Sequence, residues 1–273
     1  MNTYHKVFRF RNSIWQGGLT LIEIMVALLI GAFLLAGVIQ IFIANKQTYR
    51  VQENLSRIQE NGRFAVDYLS RYIRMAGYVT KTPLNDNKAL ARNKIAAGSN
   101  SSGNITTTIF KPGTEAMGGA DNSITVRFQA DSPADGQMTD CLGNTVSSLD
   151  GDVIVTNVFS VKDYSLYCDP EHTINPDSTP VIGNVENIQF RYCIPVGSAK
   201  IGCVLSTAVS NWNEVQSVKV SLLLRSVDDN LVVQPKSYQF DADGDGVSET
   251  ITPTDKRLRR VFTTTIAVRN LVN

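Results

Sequence analysis

The 273-residue chain carries 26 Lys and Arg residues against 25 Asp and Glu residues, and its formal net charge of +1 gives no case for a nucleic-acid or acidic partner. Its length allows one or two domains. Nucleotide-binding, zinc-protease and serine-hydrolase motifs are absent, and His172 is the only histidine beyond the first 18 residues. We therefore predict that the chain is not an enzyme and requires no cofactor.

A long apolar segment follows a short leader. Over residues 19–44 the only conventionally polar side chains are Thr20, Glu23 and Gln40, and none is basic. About 20 such residues suffice to span a bilayer as a helix, so a transmembrane helix is predicted here. The basic residues of the leader, which put the N-terminus in the cytoplasm under the positive-inside rule, are Lys6, Arg9 and Arg11.

The small residues that a processing protease needs lie before the apolar segment. A secretory signal has its cleavage site after a shorter apolar core, whereas Gly17 and Gly18 end this leader. The run GLTLIEIMVA at residues 18–27 resembles the type IV prepilin (class III) signal. The resemblance implies cleavage after Gly18 by a prepilin peptidase and N-methylation of Leu19, where the family usually has Phe. The alternative is an ordinary single-pass anchor.

Glu23 is the one ionisable residue in the apolar segment. Such a residue inside a membrane helix is expensive and usually functional. The prepilin resemblance implies that Glu23 pairs with the N-terminal amine of a neighbouring subunit and sets the register of assembly. The alternative is a carboxylate close enough to the membrane interface to stay hydrated.

From Asn45 the helix becomes amphipathic, and Gly77 and Pro83 are its stop signals. Apolar or small residues recur at helical spacing: Val51, Leu55, Ile58, Gly62, Ala65, Leu69, Tyr72 or Ile73, and Ala76. The segments GRFA at 62–65 and IRMAGY at 73–78 resemble minor pilins of the PilW type. An ordinary amphipathic helix is the alternative explanation of the pattern.

The remainder reads as a long loop followed by strands. Residues 80–122 are rich in Asn, Gly, Ser and Thr, and Gly118-Gly119-Ala120 is one of their loop signals. Alternating or β-branched runs follow at 123–128, 152–161, 164–168, 185–192, 217–225 and 260–269. One apolar and one wetter face is typical of antiparallel sheets. The predicted fold is α+β and pilin-like: one long N-terminal helix packed on an antiparallel β-sheet.

Four cysteines lie in the half of the chain that the predicted topology places outside the cytoplasm. An even number in an oxidising compartment indicates two disulfides, for which three pairings exist. Closeness in sequence favours Cys141–Cys168 and Cys193–Cys203. Zinc is the weaker alternative because no Cys-x-x-Cys is present.

The run DADGDGVSE at residues 241–249 is the one candidate metal site. Asp241, Asp243 and Asp245 alternate before a glycine, as in the first half of a calcium loop, and the Val247 carbonyl and Glu249 are further candidate ligands. Thr252 stands where a calcium loop has its bidentate Glu. The alternative is an acidic hairpin turn between residues 238–240 and 249–251.

The C-terminal stretch 255–270 again resembles PilW-type proteins. Its basic cluster, consisting of Lys256, Arg257, Arg259 and Arg260, is interpreted as a solvated start of the last strand, with contact to an acidic partner subunit as the alternative.

Together the resemblances imply a minor pilin with a leader at 1–18, a transmembrane helix at 19–44, an amphipathic continuation at 45–79 and an extracytoplasmic β-rich domain at 80–273. The implied role is priming of a type IV pilus used in twitching motility, adhesion or DNA uptake. The implied partners are other minor pilins, the major pilin, the prepilin peptidase, the inner-membrane assembly platform and a tip adhesin. The implied location is the inner membrane, with the C-terminal domain in the periplasm, and then the pilus tip.

Three alternatives remain at this level. A minor pseudopilin of a type II secretion system would share the signal and fold. A single-pass membrane-anchored receptor or enzyme would keep residues 1–18. A calcium-gated adhesive tip subunit would lose assembly on chelation.

Overall fold

The structure is a computed structural model that describes residues 18–78, 117–120, 122–130, 138–145, 153–170, 179–197, 200–242 and 246–270. The chain divides into two compact units, Met1–Tyr49 and Arg50–Asn273. The helix α1 (Leu21–Met75) contributes its first part to one unit and its second part to the other.

In the first unit, the described residues are the start of α1 and the three residues before it. Every residue from Gly18 to Tyr49 is exposed, although most of the side chains up to Ala44 are apolar. By length and composition α1 qualifies as a candidate membrane span. The helical residues 21–44 measure about 36 Å at 1.5 Å per residue, which exceeds a hydrocarbon core of about 30 Å.

In the second unit, α1 buries one stripe. The apolar spacing predicted this face, and Ile58, Gly62, Ala65, Leu69 and Ala76 are all buried. The charged residues on the opposite face, Arg50, Glu53, Arg57, Glu60, Arg71 and Arg74, are exposed. The helix ends where Gly77 adopts a positive φ of 72° and its N–H donates to the Arg127 carbonyl at 2.9 Å. The predicted stop signal is thus confirmed, because glycine reaches this conformation without steric penalty.

A five-stranded antiparallel meander forms the first sheet of this unit, in spatial order β1 to β5. Its strands are β1 (Met117–Ala120), β2 (Ser123–Ala130), β3 (Val153–Lys162), β4 (Ser165–Pro170) and β5 (Thr179–Gly183). The predicted loop signal at 118–120 is wrong, because these residues form β1. Gly119 pairs with Ile124 and Ala120 with Ser123, and such backbone pairing requires no strand-forming side chain.

A second antiparallel sheet has the order β11-β8-β6-β7. Its strands are β6 (Val185–Val196), β7 (Lys200–Val204), β8 (Ser217–Arg225) and β11 (Arg259–Ala267), with two short 3₁₀ turns at Ser206–Ala208 and Trp212–Glu214 between β7 and β8. β9 (Tyr238–Phe240) and β10 (Glu249–Ile251) form a separate hairpin. The chain changes sheets at Asn184, whose φ of 64° lies in a region that Asn tolerates.

Sheet pairing explains which residues form the core. Phe262, Leu222 and Ile188 are aligned across β11, β8 and β6 on the inner face. Leu222 and Ile188 are buried, and Phe262 is partly buried against the core. The predicted fold class is confirmed as one long N-terminal helix plus antiparallel sheets. The strand signals that suggested one sheet are distributed over two main sheets and a hairpin.

Candidate functional site: the processing segment and the packing surfaces

The predicted cleavage bond lies immediately before α1. Gly18, Leu19 and Thr20 are not helical and are exposed, and helical structure begins at Leu21. Gly17 and the rest of the leader lie outside the described residues. A protease needs an accessible segment, and the bond between Gly18 and Leu19 lies in an exposed, non-helical one.

Glu23 caps the helix that it belongs to. Its N–H donates to Thr20 Oγ1, and its carboxylate Oε2 accepts from Thr20 N and Thr20 Oγ1, each at 3.4 Å. This reciprocal arrangement is a capping box, signalled in sequence by Thr-x-x-Glu. This signal was missed in the sequence. Within one chain, the box gives the Glu23 carboxylate partners near a helix N-terminus, where negative charge is favourable.

A tyrosine pair joins the second part of α1 to the five-stranded sheet. Tyr72 Oη donates to the Asp140 carbonyl at 2.9 Å, and Tyr68 Oη donates to the Cys141 carbonyl. The Phe159 ring of β3 lies 5.8 Å from the Tyr68 ring and 5.6 Å from the Tyr72 ring. Desolvation by burial is the largest cause that raises the pKa of both phenols, so both stay neutral donors at physiological pH.

Two disulfides cross-link segments of this unit. Cys141 pairs with Cys168 of β4, and Cys193 of β6 pairs with Cys203 of β7. These are the pairings that closeness in sequence favours, and all four cysteines are used. The first bond ties the segment that receives the two tyrosine hydroxyls to the sheet, so it supports the docking of α1.

Arg259 is a buried cation that binds two carboxylates. Its guanidinium forms two bonds to Glu186, at 2.7 and 3.2 Å, and two to Asp255, at 2.6 and 2.9 Å. Only 5% of its side chain is exposed. Hydrogen bonding to Arg259 lowers the pKa of Asp255 to about 2. The interpretation of the basic cluster as solvated is therefore wrong for Arg259, because its partner Glu186 comes from a strand 73 residues away.

Arg257 is also engaged inside the unit. Its guanidinium donates to the carbonyls of Ser226 (2.9 Å) and Val227, and Asp255 lies 4.0 Å away. These contacts fix the loop that follows β8. Of the four basic residues, Arg257 and Arg259 are therefore committed to contacts within the chain.

The same loop docks on the helix. Asn54, a buried polar residue of α1, donates to Asp228 Oδ2 at 3.2 Å and accepts from Asp228 N at 3.2 Å. Arg50 donates to the same carboxylate oxygen at 3.3 Å. The hydrogen bond from Asn54, followed by that from Arg50, lowers the pKa of Asp228. Three polar contacts thus hold the loop to one turn of α1.

The acidic hairpin is described only in part, since Asp243 and Asp245 lie outside the described residues. Asp241 accepts a hydrogen bond from Gly246 N at 3.1 Å, and Glu249 accepts one from Ala242 N at 3.0 Å. Arg191 Nε lies 3.8 Å from Asp241 Oδ2. A guanidinium beside the first candidate ligand already supplies a positive charge.

The hairpin covers the outer face of the four-stranded sheet. A cavity of about 90 Å³ lies there, with Arg191 and Lys219 in its lining beside Gln189, Ser221 and Thr263. In the described lining two cationic side chains accompany one carboxylate, that of Asp241, which makes this cavity unfavourable for a metal ion. In the described residues no group of three or more His, Cys, Asp or Glu side chains comes together, and the calcium site stays a prediction.

Two parts of the chain match models of known protein families. Residues 154–270 match the family model described as Type IV Pilus-assembly protein W, and residues 16–39 match the prokaryotic N-terminal methylation motif. A type IV-like pilin from Thermus thermophilus is similar in structure, with 13% sequence identity, a TM-score of 0.44, and coverage of 80% of this chain and 98% of that chain. No curated protein matches the chain.

The chain thus combines a match to the N-terminal methylation motif with a helix long and apolar enough to cross a membrane. From β3 to just beyond β11 the chain is similar to the PilW family, over fewer than half of its residues. The two matches support a minor pilin role in type IV pilus assembly. The GRFA segment at 62–65 lies outside both matched ranges, so its resemblance stays a prediction.

Proposed function

We propose that the chain is a minor pilin that prepilin peptidase cleaves between Gly18 and Leu19 and that is then N-methylated at Leu19. The supporting observation is one chain that combines the methylation-motif match at 16–39 with the PilW-type match at 154–270. The exposed Gly18–Leu19 bond suits this processing, because cleavage there leaves all of α1 on the mature chain. The role is structural, through packing among pilin subunits.

Before assembly, we propose that residues 19–44 anchor the chain in the inner membrane, residues 45–79 continue the helix, and residues 80–273 lie in the periplasm. Assembly transfers the apolar helix from lipid to a core of other pilin helices, so both environments stay apolar. The proposed partners are other minor pilins, the major pilin, the peptidase and the inner-membrane assembly platform, with a tip adhesin beyond.

Glu23 is proposed to exchange partners during this transfer. In the single chain its carboxylate accepts from Thr20 N. In a filament it would pair instead with the Leu19 amine of a neighbouring subunit, which offsets two charges that would each be costly if buried alone. The capping box would then be the arrangement of Glu23 before assembly.

N-terminal sequencing and intact mass of the protein from its native membrane test the processing. With the peptidase present, we expect a chain that begins at methylated Leu19, and without it a chain that still begins at Met1. Gly18→Leu should block cleavage, whereas Gly37→Leu, at a glycine with open space around it, should not. A chain that keeps residues 1–18 in the presence of the peptidase would contradict the proposal and favour an anchored receptor.

A second measurement separates assembly from processing. Glu23→Ala should leave cleavage intact and abolish recovery of the subunit in sheared pili, whereas Gln40→Ala, on the same exposed segment, should assemble. Recovery of the subunit with a type II secretion machine, and not with pili, would favour the pseudopilin alternative.

A further inference from the structure

We propose that Arg225, stacked on the ring of Tyr164, binds a carboxylate side chain of a neighbouring pilin subunit. The inference rests on the proposed packing among pilin subunits and names one contact through which a partner is held. Both residues belong to the second unit, where the end of β8 meets the turn between β3 and β4.

The turn between β3 and β4 places Tyr164 at the surface. Lys162 pairs with Ser165 across the turn. Its two central residues, Asp163 and Tyr164, have φ angles of 48° and 56°. A two-residue turn with positive φ at both positions favours Asn and Gly, and for a bulky residue such an angle is an outlier. Backbone outliers concentrate at functional sites, and Tyr164 is 52% exposed.

Arg225 of the four-stranded sheet is held on that ring. Its guanidinium carbon lies 3.3 Å from the centre of the Tyr164 ring, which is a close cation–π contact. Arg225 N donates to the Asn184 carbonyl at 3.0 Å. The next residue, Val185, donates its N–H to the Tyr164 carbonyl, also at 3.0 Å. Adjacent residues of the β5–β6 connection thus fix both members of the stack, so the guanidinium is positioned before a ligand binds.

The guanidinium of Arg225 lacks an anionic partner among the residues that the structure describes. Arg225 forms no ion pair there, and its Nε is buried without a hydrogen-bond acceptor. Its terminal Nη groups make no hydrogen bond either and are not buried. A ring face attracts the positive charge but accepts none of the in-plane N–H donors. The Nη groups are therefore available to a carboxylate.

The carboxylates at this end of the sheet serve another arginine. Arg259 lies directly opposite Arg225 across β11 and β8, where like charges repel. Glu186 and Asp255 neutralise Arg259. Asp163 of the turn is exposed and forms no ion pair with Arg225. Within the described chain, Arg225 is thus the cation of this opposed pair that is left without a carboxylate, and the complementary ligand is anionic.

The surroundings of Arg225 favour a protein partner. Tyr164 is half exposed, and Val227, two residues beyond Arg225, is 48% exposed. Tyrosine and arginine are enriched at the energetic centres of protein interfaces. A partner that covers the ring also excludes water from the guanidinium, which strengthens its attraction to a carboxylate. A planar guanidinium binds a carboxylate with defined geometry, so an Asp or Glu side chain of an adjoining subunit fits this site.

Carbodiimide cross-linking of sheared pili tests the contact. Carbodiimide joins an amine to a carboxylate that touches it and does not couple a guanidinium, so Arg225→Lys puts a reporting amine at the site. We expect an amide between position 225 and an Asp or Glu of another pilin subunit, identified by mass spectrometry of the digested pili. Arg260→Lys is the matched control, because Arg260 is exposed and lies 5.6 Å from the Phe262 ring. It should give severalfold less of such a product.

Charge reversal measures what the contact contributes to assembly. Arg225→Glu should lower recovery of the subunit in sheared pili severalfold, whereas Arg260→Glu should not. Urea unfolding of both variants separates loss of the contact from loss of the fold. Replacing the carboxylate that the cross-link identifies with Arg should restore recovery of Arg225→Glu, which a purely structural role of Arg225 would not allow.

The outcomes separate this inference from the proposed function. A parent chain that enters pili, with no amide to another subunit at position 225 of Arg225→Lys, would overturn the inference and leave the minor pilin role intact. An amide only to Asp163 of the same chain would also overturn it, because the cation would then be neutralised from within. A parent chain that never enters pili would instead contradict the proposed function, and the partner with it.

Discussion

The Phe262 ring of β11 lies directly against Gly62 of α1. A β-carbon built at residue 62 would lie 2.7 Å from Phe262 Cδ2 and closer still to Cε2 and Cζ. The missing side chain at residue 62 therefore lets the helix approach the sheet at that strand. It gives the GRFA segment a physical reason for its glycine.

We expect Gly62→Ala to destabilise the protein by about 1–3 kcal/mol, because the added methyl group overpacks the contact with Phe262. Gly183→Ala is the control, since nothing lies within 4 Å of that position. Urea unfolding of the two variants measures the difference. The double variant Gly62→Ala with Phe262→Leu should regain part of the loss, and strict additivity in this cycle would mean that the two residues are not coupled.

Gly62 and Arg259 illustrate which structural features can be predicted from the sequence and which cannot. Helical spacing alone predicted the buried stripe from Ile58 to Ala76, because all its members lie on one short segment. It could not place Arg259, whose burial depends on Glu186 in another strand. Likewise, strand patterns found β8 with the bounds 217–225, whereas the change of sheet at Asn184 depends on pairing between distant strands.

The N-terminal segment needs only local sequence for its prediction, because its proposed cleavage and assembly residues lie in one contiguous stretch. Gly18, Leu19 and Glu23 lie within six consecutive residues, so no folding is needed to bring them together. The capping box at Thr20 and Glu23 could have been found from spacing as well. The sequence left open whether the Asp-rich hairpin binds calcium. Its two strands could be predicted from local patterns, but the guanidinium beside Asp241 belongs to Arg191 of β6, which is distant in sequence.

Arg259→Met should destabilise the protein by about 2–3 kcal/mol at pH 7, because Glu186 and Asp255 lose their shared cation. This loss of stability is smaller than the loss expected when a fully buried ion pair is broken, because both carboxylates are partly exposed. Arg260→Met, at an exposed neighbour on the same strand, is the control and should change stability little.

The same pair of variants predicts a pH dependence. The folded-state pKa of Asp255 is lowered to about 2, so its contribution to stability is complete above the ordinary value near 4 and is lost as the pH falls through 2. The stability gap between the parent and Arg259→Met should therefore be constant from pH 7 to about pH 4 and narrow below it. Unfolding midpoints in urea across this range measure the gap, and a gap that widens on acidification would contradict the assignment.

The two disulfides should differ in their contribution to stability. Cys141–Cys168 spans 27 residues and Cys193–Cys203 spans 10. Loop-closure entropy then gives about 3.5 kcal/mol for the first and about 2.7 kcal/mol for the second. The double serine variants Cys141→Ser with Cys168→Ser, and Cys193→Ser with Cys203→Ser, test the order by thermal unfolding.

The structure adds a reason for the first disulfide to matter more. The Asp140 and Cys141 carbonyls receive Tyr72 and Tyr68, so freeing this segment also weakens the docking of α1. We expect amide hydrogen exchange in residues 65–75 to rise in the Cys141–Cys168 variant and not in the Cys193–Cys203 variant. Equal exchange in both would show that the tyrosine contacts survive without the covalent link.

Calcium should leave the stability of the parent protein unchanged. Arg191 lies 3.8 Å from Asp241, and Gly246 N and Ala242 N already donate to Asp241 and Glu249, so a cation entering this turn would displace existing partners and meet a like charge. Thermal unfolding with millimolar calcium and with chelator measures the effect. A saturable rise in Tm that is lost in Asp241→Asn and kept in Asp163→Asn, in the exposed turn between β3 and β4, would instead establish the calcium site. It would mean that Asp243 and Asp245 outweigh the repulsion from Arg191.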